Sequence, residues 1–301
     1  MTAAYAPHDA YVAPARARPE IWRLIAGLVV VAAVLFGLQS ALRAALYALA
    51  PGTLYAELTM GEGTGTTPAS ALILLGSFAF MALGAVAAAH HLHGRSAASL
   101  IGPSVARAVR DFFRVVGALA LLYIAVAVLP PWAGPGGAEP EPNLAPGVWA
   151  ALLPLTLAAL VIQTGAEELL FRGYLQQQLA ARFASPLVWM GVPAALFAAG
   201  HYVPADFGDN AALVALWTGL FALALADVTA RAGNLGPAVA MHFMNNVFPI
   251  AFTAMEGALS GLALYTVPGA SEDPGMLRAA MPVEIGMLVC SWLAARVALR
   301  R

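Results

Sequence analysis

The sequence predicts an all-α membrane protein, a polytopic bundle of about eight transmembrane helices with both termini on the cytoplasmic side. Three observations predict this class: an apolar composition, recurrent apolar runs and a one-sided distribution of arginine. Of the 301 residues, 61% are hydrophobic and only 10% are charged, whereas soluble domains are about 45–50% apolar and about 25% charged. The net charge of −1 and the lack of a basic tract give no indication of nucleic-acid binding.

The apolar runs recur along the whole chain, and a helix needs about 20 residues to cross a bilayer. Eight candidate spans follow from them, at residues 23–42, 68–90, 115–131, 148–171, 186–201, 211–229, 237–255 and 279–295. A Pro- and Gly-rich stretch, 131–147, is interpreted as an outer loop.

The arginines predict the orientation, since all 15 basic residues are arginine. With the N-terminus in the cytoplasm, all but Arg43 and Arg278 fall in inside segments, as the positive-inside rule requires. The outside loops carry acids instead, namely Glu57, Glu62, Glu139, Glu141, Asp206, Asp209, Glu272 and Asp273. Eight spans with the N- and C-termini inside fit this asymmetry.

The N-terminal residues 1–22 are interpreted as a cytoplasmic tail. The first 20 contain few large apolar side chains and are expected to be mobile. Residues 16–38 also fit a secretory signal, with Ala48-Leu49-Ala50 as the cleavage site. The apolar run continues beyond a typical signal core, which favours an uncleaved first span.

A basic helical face is predicted in the segment 95–114, where Arg107, Arg110 and Arg114 are spaced i, i+3 and i+7. Such a face can lie on anionic lipid headgroups, and it can equally be a plain cytoplasmic helix end. Both interpretations stay open. The single cysteine, Cys290, excludes an intramolecular disulfide framework and gives no metal motif.

Polar residues within the spans indicate where function resides, because ionisable groups in lipid are costly and usually line a cavity. Glu168 and Arg172 are spaced i and i+4 with the acid first, which predicts an ion pair with a structural role. Glu167 points about 100° away and has no obvious local cation. A carboxylate in such surroundings suits a general acid or base.

Two histidines and an asparagine add to this set. His201 follows Phe197 by four residues, and His242 and Asn246 share one helical face. Taken singly, a histidine near a helix end is more often a capping residue than a catalytic one. An asparagine in a span often only forms a hydrogen bond between two helices. Asp227, four residues before Arg231, is interpreted as a simple ion pair.

Helix lengths make a common site feasible. Glu167 and His201 each lie 17 residues from the turn near residue 184, about 25 Å along their helices. His242 lies only about eight residues past its own turn. The three can meet at one depth only if the segment 176–182 extends the fourth helix on the cytoplasmic side.

Three ordered motifs, Glu167-Glu168-x-x-x-Arg172, Phe197-x-x-x-His201 and His242-x-x-x-Asn246, resemble those of the CAAX prenyl protease and bacteriocin-processing (CPBP or Abi) intramembrane proteases. The resemblance covers about residues 145–255. It implies a CPBP-like catalytic core there, after N-terminal helices at 23–131 and before an outer loop and final helix at 256–301.

The resemblance implies an intramembrane endopeptidase acting near the cytoplasmic face. Glu167 and His201 would activate a water, while His242 and Asn246 would donate hydrogen bonds to the oxyanion, with Glu168 and Arg172 in support. No cofactor is favoured, but Glu167, His201 and His242 could instead form a zinc site. The His-Glu-x-x-His signature of many zinc peptidases is absent.

Other function classes remain. The cavity could belong to a non-catalytic immunity or scaffold protein, or to a proton-coupled transporter that uses buried Glu and His. The expected partners of the peptidase are membrane lipid and a membrane-associated protein or peptide, while the oligomeric state is left open. A composition rich in Ala and Arg and without Lys is typical of a GC-rich bacterium and predicts its inner membrane, where prenylated CAAX proteins are not expected.

Overall fold

The architecture is that of a computed structural model, which describes residues 3–50, 52–59, 64–129, 139–268 and 274–300. The predicted outer positions Glu62, Glu272 and Asp273, and part of the 131–147 loop, lie outside these ranges, as does Arg301.

The described chain is almost entirely helical, which confirms the predicted all-α bundle. The α-helices are α1 (Ala6–Val12), α2 (Ile21–Leu49), α3 (Thr53–Thr59), α4 (Pro68–Ser77), α5 (Ala79–His93), α6 (Ala97–Ile101), α7 (Val105–Val128), α8 (Pro146–Glu168), α9 (Gln177–Arg182), α10 (Pro186–Trp189), α11 (Gly191–Gly200), α12 (Pro204–Phe207), α13 (Ala211–Ala232), α14 (Gly236–Val247) and α15 (Pro274–Leu299). Two π-helices, π1 (Leu169–Gln176) and π2 (Phe248–Phe252), continue α8 and α14.

Each of the eight predicted spans contains helix. Among the described residues, six helical segments are long and apolar enough to cross a membrane: Ile21–Leu49, Pro68–His93, Ala97–Val128, Pro146–Arg182, Pro204–Ala232 and Gly275–Leu299. The remaining two are shorter, the Pro186–Gly200 segment and α14 with π2. The number of crossings and the orientation of the termini therefore stay predictions.

A small three-stranded sheet joins the chain before α8 to the chain after π2. Its strands are β1 (Glu141–Pro142), β2 (Thr253–Met255) and β3 (Tyr265–Val267), in the order β1-β3-β2. β3 pairs antiparallel with β1 and parallel with β2. The predicted seventh span, 237–255, is therefore not α-helical at its end. Its last four residues are Phe252, which ends π2, and the three residues of β2.

The prediction of a mobile N-terminal tail is wrong. After a 3-10 turn at Ala3–Tyr5, α1 and a second 3-10 turn at Ala13–Ala17 pack against the core, and His8, Tyr11 and Ala15 are fully buried. The Tyr11 hydroxyl donates a hydrogen bond to the Leu100 carbonyl at 2.8 Å. The residues that the N-terminal segment contacts are distant in sequence. The short, Ala-rich segment alone therefore gave little indication that it would be buried.

The same segment packs onto the turn between α13 and α14. Gly233 adopts a left-handed φ of 68°, a region that glycine enters without strain. A Cβ at this position would overlap the carbonyl oxygen of Pro7. The turn that sets the start of α14 is therefore fitted to the N-terminal segment.

The helices that carry the three motifs share one apolar core. Phe197 of α11, Leu225 of α13 and Met241 of α14 are buried together, along with Val115 and Leu119 of α7. α7 and α14 approach closely because Gly236 has no side chain where a Cβ would overlap the Ala108 carbonyl oxygen. This packing fixes the position of α14, and hence of His242, against α7.

Candidate active site

The first motif lies where α8 becomes π1. Glu168 and Arg172 form the predicted ion pair, with Nη1 and Oε1 3.0 Å apart, and both side chains are buried. Arg172 also donates through Nη2 to the Ala222 carbonyl of α13 at 2.9 Å. The π1 helix itself was not predicted, although π-helical turns often occur at functional sites.

Glu167 is held by a residue of its own helix. Gln163, one turn earlier, donates from Nε2 to Glu167 Oε2 at 3.0 Å. Both side chains are buried. The Gln163 amide therefore fixes the carboxylate in one orientation.

His242 lies between the two glutamates. Its Nδ1 atom lies 2.8 Å from Glu168 Oε1, and its Nε2 atom lies 3.3 Å from Glu167 Oε2. Because a carboxylate accepts hydrogen bonds, the Nδ1 contact assigns a proton to Nδ1. Nε2 is then the nitrogen that faces Glu167 and can exchange a proton with it.

His201 ends α11 and approaches the site beside Phe197. Its Nδ1 lies 2.8 Å from the Phe197 carbonyl oxygen, which can only accept, so the proton is on Nδ1 and Nε2 is free to accept. The Phe197 ring lies 4.4 Å from the His201 ring and 6.0 Å from the His242 ring, centroid to centroid. His201 is only half-buried, so this side of the site is the accessible one.

Asn246 joins the network through Gln163. Its Nδ2 donates to Gln163 Oε1 at 2.9 Å, and its own Oδ1 accepts from the neighbouring Asn245 at 3.1 Å. Gln163 therefore contacts Glu167 with its amino group and Asn246 with its carbonyl group. The sequence analysis gave Gln163 no function, although its i, i+4 spacing from Glu167 was an available signal.

The meeting of the motifs depends on the length of the fourth helix. Glu167 lies 15 residues before the end of α9 at Arg182, while His242 lies six residues after the start of α14 at Gly236. These distances are about 22 Å and about 9 Å along a helix. Since the two side chains touch, α9 extends beyond the start of α14, as the common-site prediction requires.

The buried cluster has unequal charge. Two carboxylates, Glu167 and Glu168, accompany one guanidinium, Arg172. A buried net negative charge is costly unless it is neutralised.

The zinc-dependent alternative requires a group of side chains positioned to bind the metal ion. Within the described part of the chain, no three His, Cys, Asp or Glu side chains form a group that could hold a metal ion. His242 contacts a carboxylate through each ring nitrogen. As a zinc ligand it would have to give up one of these contacts.

Asp227 is paired with Arg231 at 2.9 Å, as predicted. It also accepts hydrogen bonds from the Tyr5 hydroxyl at 2.7 Å and from Trp292 Nε1 at 2.8 Å. It therefore joins the N-terminal segment, α13 and α15.

Comparisons with known proteins agree with the motif resemblance. Residues 149–248 match the family model described as "Type II CAAX prenyl endopeptidase Rce1-like", and this range includes all the residues of the buried network. The "uncharacterized protein YyaK" of Bacillus subtilis (strain 168) is 29% identical over 133 residues, which are 42% of this chain and 42% of that protein. No solved structure matches.

Proposed function

We propose, from the match of its core to an Rce1-like endopeptidase family, that this integral membrane protein is a metal-free intramembrane endopeptidase. It hydrolyses a peptide bond in a membrane-associated protein or peptide near the cytoplasmic face. The observation that carries the proposal is the contact of His242 with both Glu167 and Glu168. This contact joins the first and third motifs through buried side chains 74 residues apart.

Glu167 is the proposed general base. Held by Gln163 at 3.0 Å, its carboxylate takes a proton from a water bound between it and His201. The free Nε2 of His201 accepts that water's second hydrogen and so orients it. General bases held within hydrogen-bond reach of the proton they remove typically contribute 10²–10⁴-fold.

The hydroxide then adds to the peptide carbonyl carbon, and the carbonyl π electrons move to the oxygen. The proposed donors to this oxyanion are Asn246 Nδ2–H and His242 Nε2–H. In this scheme His242 carries a proton on both ring nitrogens. Fixed donors in a water-poor site lower such barriers by a few kcal/mol each. The oxyanion re-forms the C=O bond as the C–N bond breaks, and the proton held by Glu167 passes to the leaving nitrogen. The products are an amine and a carboxylic acid, which releases its proton to water.

Glu168 and Arg172 are proposed as support. Glu168 holds the His242 ring in place through Nδ1–H, and Arg172 compensates the Glu168 charge and connects π1 to α13. Neither residue needs to touch the substrate in this scheme.

The test is cleavage of a quenched fluorogenic peptide library by detergent-purified protein. Glu167→Gln keeps the side-chain size and removes the base, so we expect at least 10³-fold slower cleavage with an unchanged unfolding temperature. Glu20→Gln is the matched control, because among the described residues the Glu20 carboxylate pairs with Arg23 alone, at the start of α2, and its side chain is 46% exposed.

A zinc chelator separates the two mechanisms. Activity that is indifferent to the chelator supports the glutamate peptidase, whereas activity lost on chelation and restored by zinc establishes the metal-dependent alternative. Equal cleavage by wild type and Glu167→Gln, or none by either, would contradict the proposed catalytic function.

A further inference from the structure

A basic cavity lies at the arginine-rich end of α7, away from the glutamates. It has a volume of about 150 Å³ and is lined by Arg107, Arg110, Asp111, Arg114, Ala232 and Leu299. Arg114 also lines a second cavity of about 390 Å³ with Ala298, Leu299 and Arg300. The two cavities together join α7, α13 and the C-terminal end of α15.

The net charge of the first cavity is positive, since three arginines (+3) and Asp111 (−1) leave +2. Asp111 is buried, and its Oδ2 accepts a hydrogen bond from Asn234 at 3.0 Å. It lies 3.6 Å from Arg107 and 3.4 Å from Arg114. These long contacts hold the two arginine side chains in place and leave most of their N–H groups free.

Arg110 has no hydrogen-bonding or ion-pairing partner among the described residues. Its side chain is exposed and lines the cavity between those of Arg107 and Arg114. Three guanidinium groups that converge on one small cavity are a typical arrangement for a phosphate group, because guanidinium N–H donors match phosphate oxygens.

The apolar face of α7 places this cavity at membrane level. Val105, Val109 and Phe113 are exposed at i, i+4 and i+8, with exposed fractions of 43%, 50% and 65%, and the stripe continues through Leu121 and Ile124. α7 is 24 residues long, or about 36 Å, whereas the hydrocarbon core is about 30 Å thick.

The exposed apolar side chains of α7 begin in its first turn, and the helix is longer than the hydrocarbon core. Its first turn therefore lies at the depth of the lipid phosphates. The arginines lie on the adjoining face of the same turns. A soluble anion would have to reach this depth from water, while a lipid phosphate is already there.

We propose that the Arg107–Arg110–Arg114 cavity binds the phosphate of an anionic membrane phospholipid. The bound lipid would bridge α7 and α15 at the end of the bundle. This site is independent of the peptidase chemistry, since its residues do not contact the glutamate network.

The experiment measures thermal unfolding of the protein in a zwitterionic detergent as phosphatidylglycerol is added. Phosphatidylcholine and sodium phosphate serve as the other two ligands. We expect only phosphatidylglycerol to raise the unfolding temperature, because a ligand that binds the folded state alone stabilises it.

The Arg110→Gln/Arg114→Gln variant is expected to need about 25-fold more phosphatidylglycerol for the half-maximal shift. The factor is roughly fivefold for each arginine near the lipid surface. Arg182→Gln is the matched control, since it removes one exposed arginine outside the cavity and is expected to leave the half-maximal concentration unchanged.

Several outcomes would overturn the proposal. They are the absence of any shift with phosphatidylglycerol, an equal response of wild type and double variant, and an equally large loss in Arg182→Gln. Stabilisation by sodium phosphate that matches phosphatidylglycerol would instead assign the cavity to a soluble phosphate.

Discussion

Glu168 Oε1 lies 2.8 Å from His242 Nδ1, and the same oxygen lies 3.0 Å from Arg172 Nη1. One buried carboxylate oxygen thus serves a local partner four residues away and a distant partner on α14. The two adjacent glutamates therefore contact different nitrogens of the His242 ring. Glu168 contacts Nδ1, and Glu167 faces Nε2.

Replacement of Glu168 by Gln should destabilise the fold. It leaves the fully buried Arg172 guanidinium without its counter-charge, and breaking a buried pair in this way costs about 3–5 kcal/mol. The expected result is a large drop in unfolding temperature in detergent. Glu20→Gln, which removes only an exposed pair worth less than about 1 kcal/mol, should barely change it. An equal unfolding temperature for the Glu168→Gln variant and wild type would refute this role.

Replacement of Gln163 by Leu should slow catalysis without loss of the fold. The Leu side chain cannot donate to Glu167 or accept from Asn246, and misplacement of a catalytic group by about 1 Å can cost 10²-fold in rate. We expect kcat to fall by about 10–100-fold in the peptide assay.

Gln178→Leu is the matched control for Gln163. Gln178 is buried, and within the described residues neither of its side-chain polar atoms has a hydrogen-bond partner. Its replacement should be neutral or stabilising. If both Leu variants keep full activity, Gln163 does not position the base.

Loss of the Tyr11 hydroxyl should loosen the N-terminal segment. The hydroxyl lies 2.8 Å from the Leu100 carbonyl oxygen and 3.3 Å from that of Arg172, so Tyr11→Phe leaves buried acceptors with one donor fewer. We expect a loss of about 1–2 kcal/mol of stability, measured as faster hydrogen exchange in residues 3–17. Tyr265→Phe, at an exposed strand position, should leave exchange unchanged; a similar increase in both variants would contradict the contact's importance.

Acid should release the same segment through His8. Burial is the largest influence on this side chain and lowers its pKa from 6.5 to about 4; Asp9 raises the pKa and Arg16 lowers it. Between those two values the released segment binds a proton and the docked one does not. Docking is therefore strongest above pH 6.5 and weakens as the pH falls towards 4, by up to about 3 kcal/mol.

Hydrogen exchange of residues 3–17 between pH 7 and 4.5, corrected for intrinsic rates, measures this effect. We expect protection to decrease as the pH is lowered in wild type and in the exposed-site control His90→Gln. In His8→Gln we expect protection to stay constant. Protection that is constant with pH in wild type would show that His8 does not control docking.

Local spacing made some of the site predictable. The Glu168–Arg172 and Asp227–Arg231 pairs are both i, i+4, and helix geometry alone brings such side chains together. The all-α class followed in the same way from composition and run length, because a bilayer requires long apolar helices whatever their arrangement.

Tertiary structure decided the rest. Neither the contact of His242 with Glu168 nor that of Tyr11 with Leu100 has a local signal, since the partners are 74 and 89 residues apart. The mobile-tail prediction failed for the same reason: His8 and Tyr11 face partners on α6, π1 and α10 that only the folded bundle brings to them. The sequence by itself determined the helices and the residues that carry charge within them, through short-range geometry and hydrophobicity. Which of those residues touch was decided by helix packing, because relative depth and rotation depend on close approaches such as that of Gly236 to Ala108.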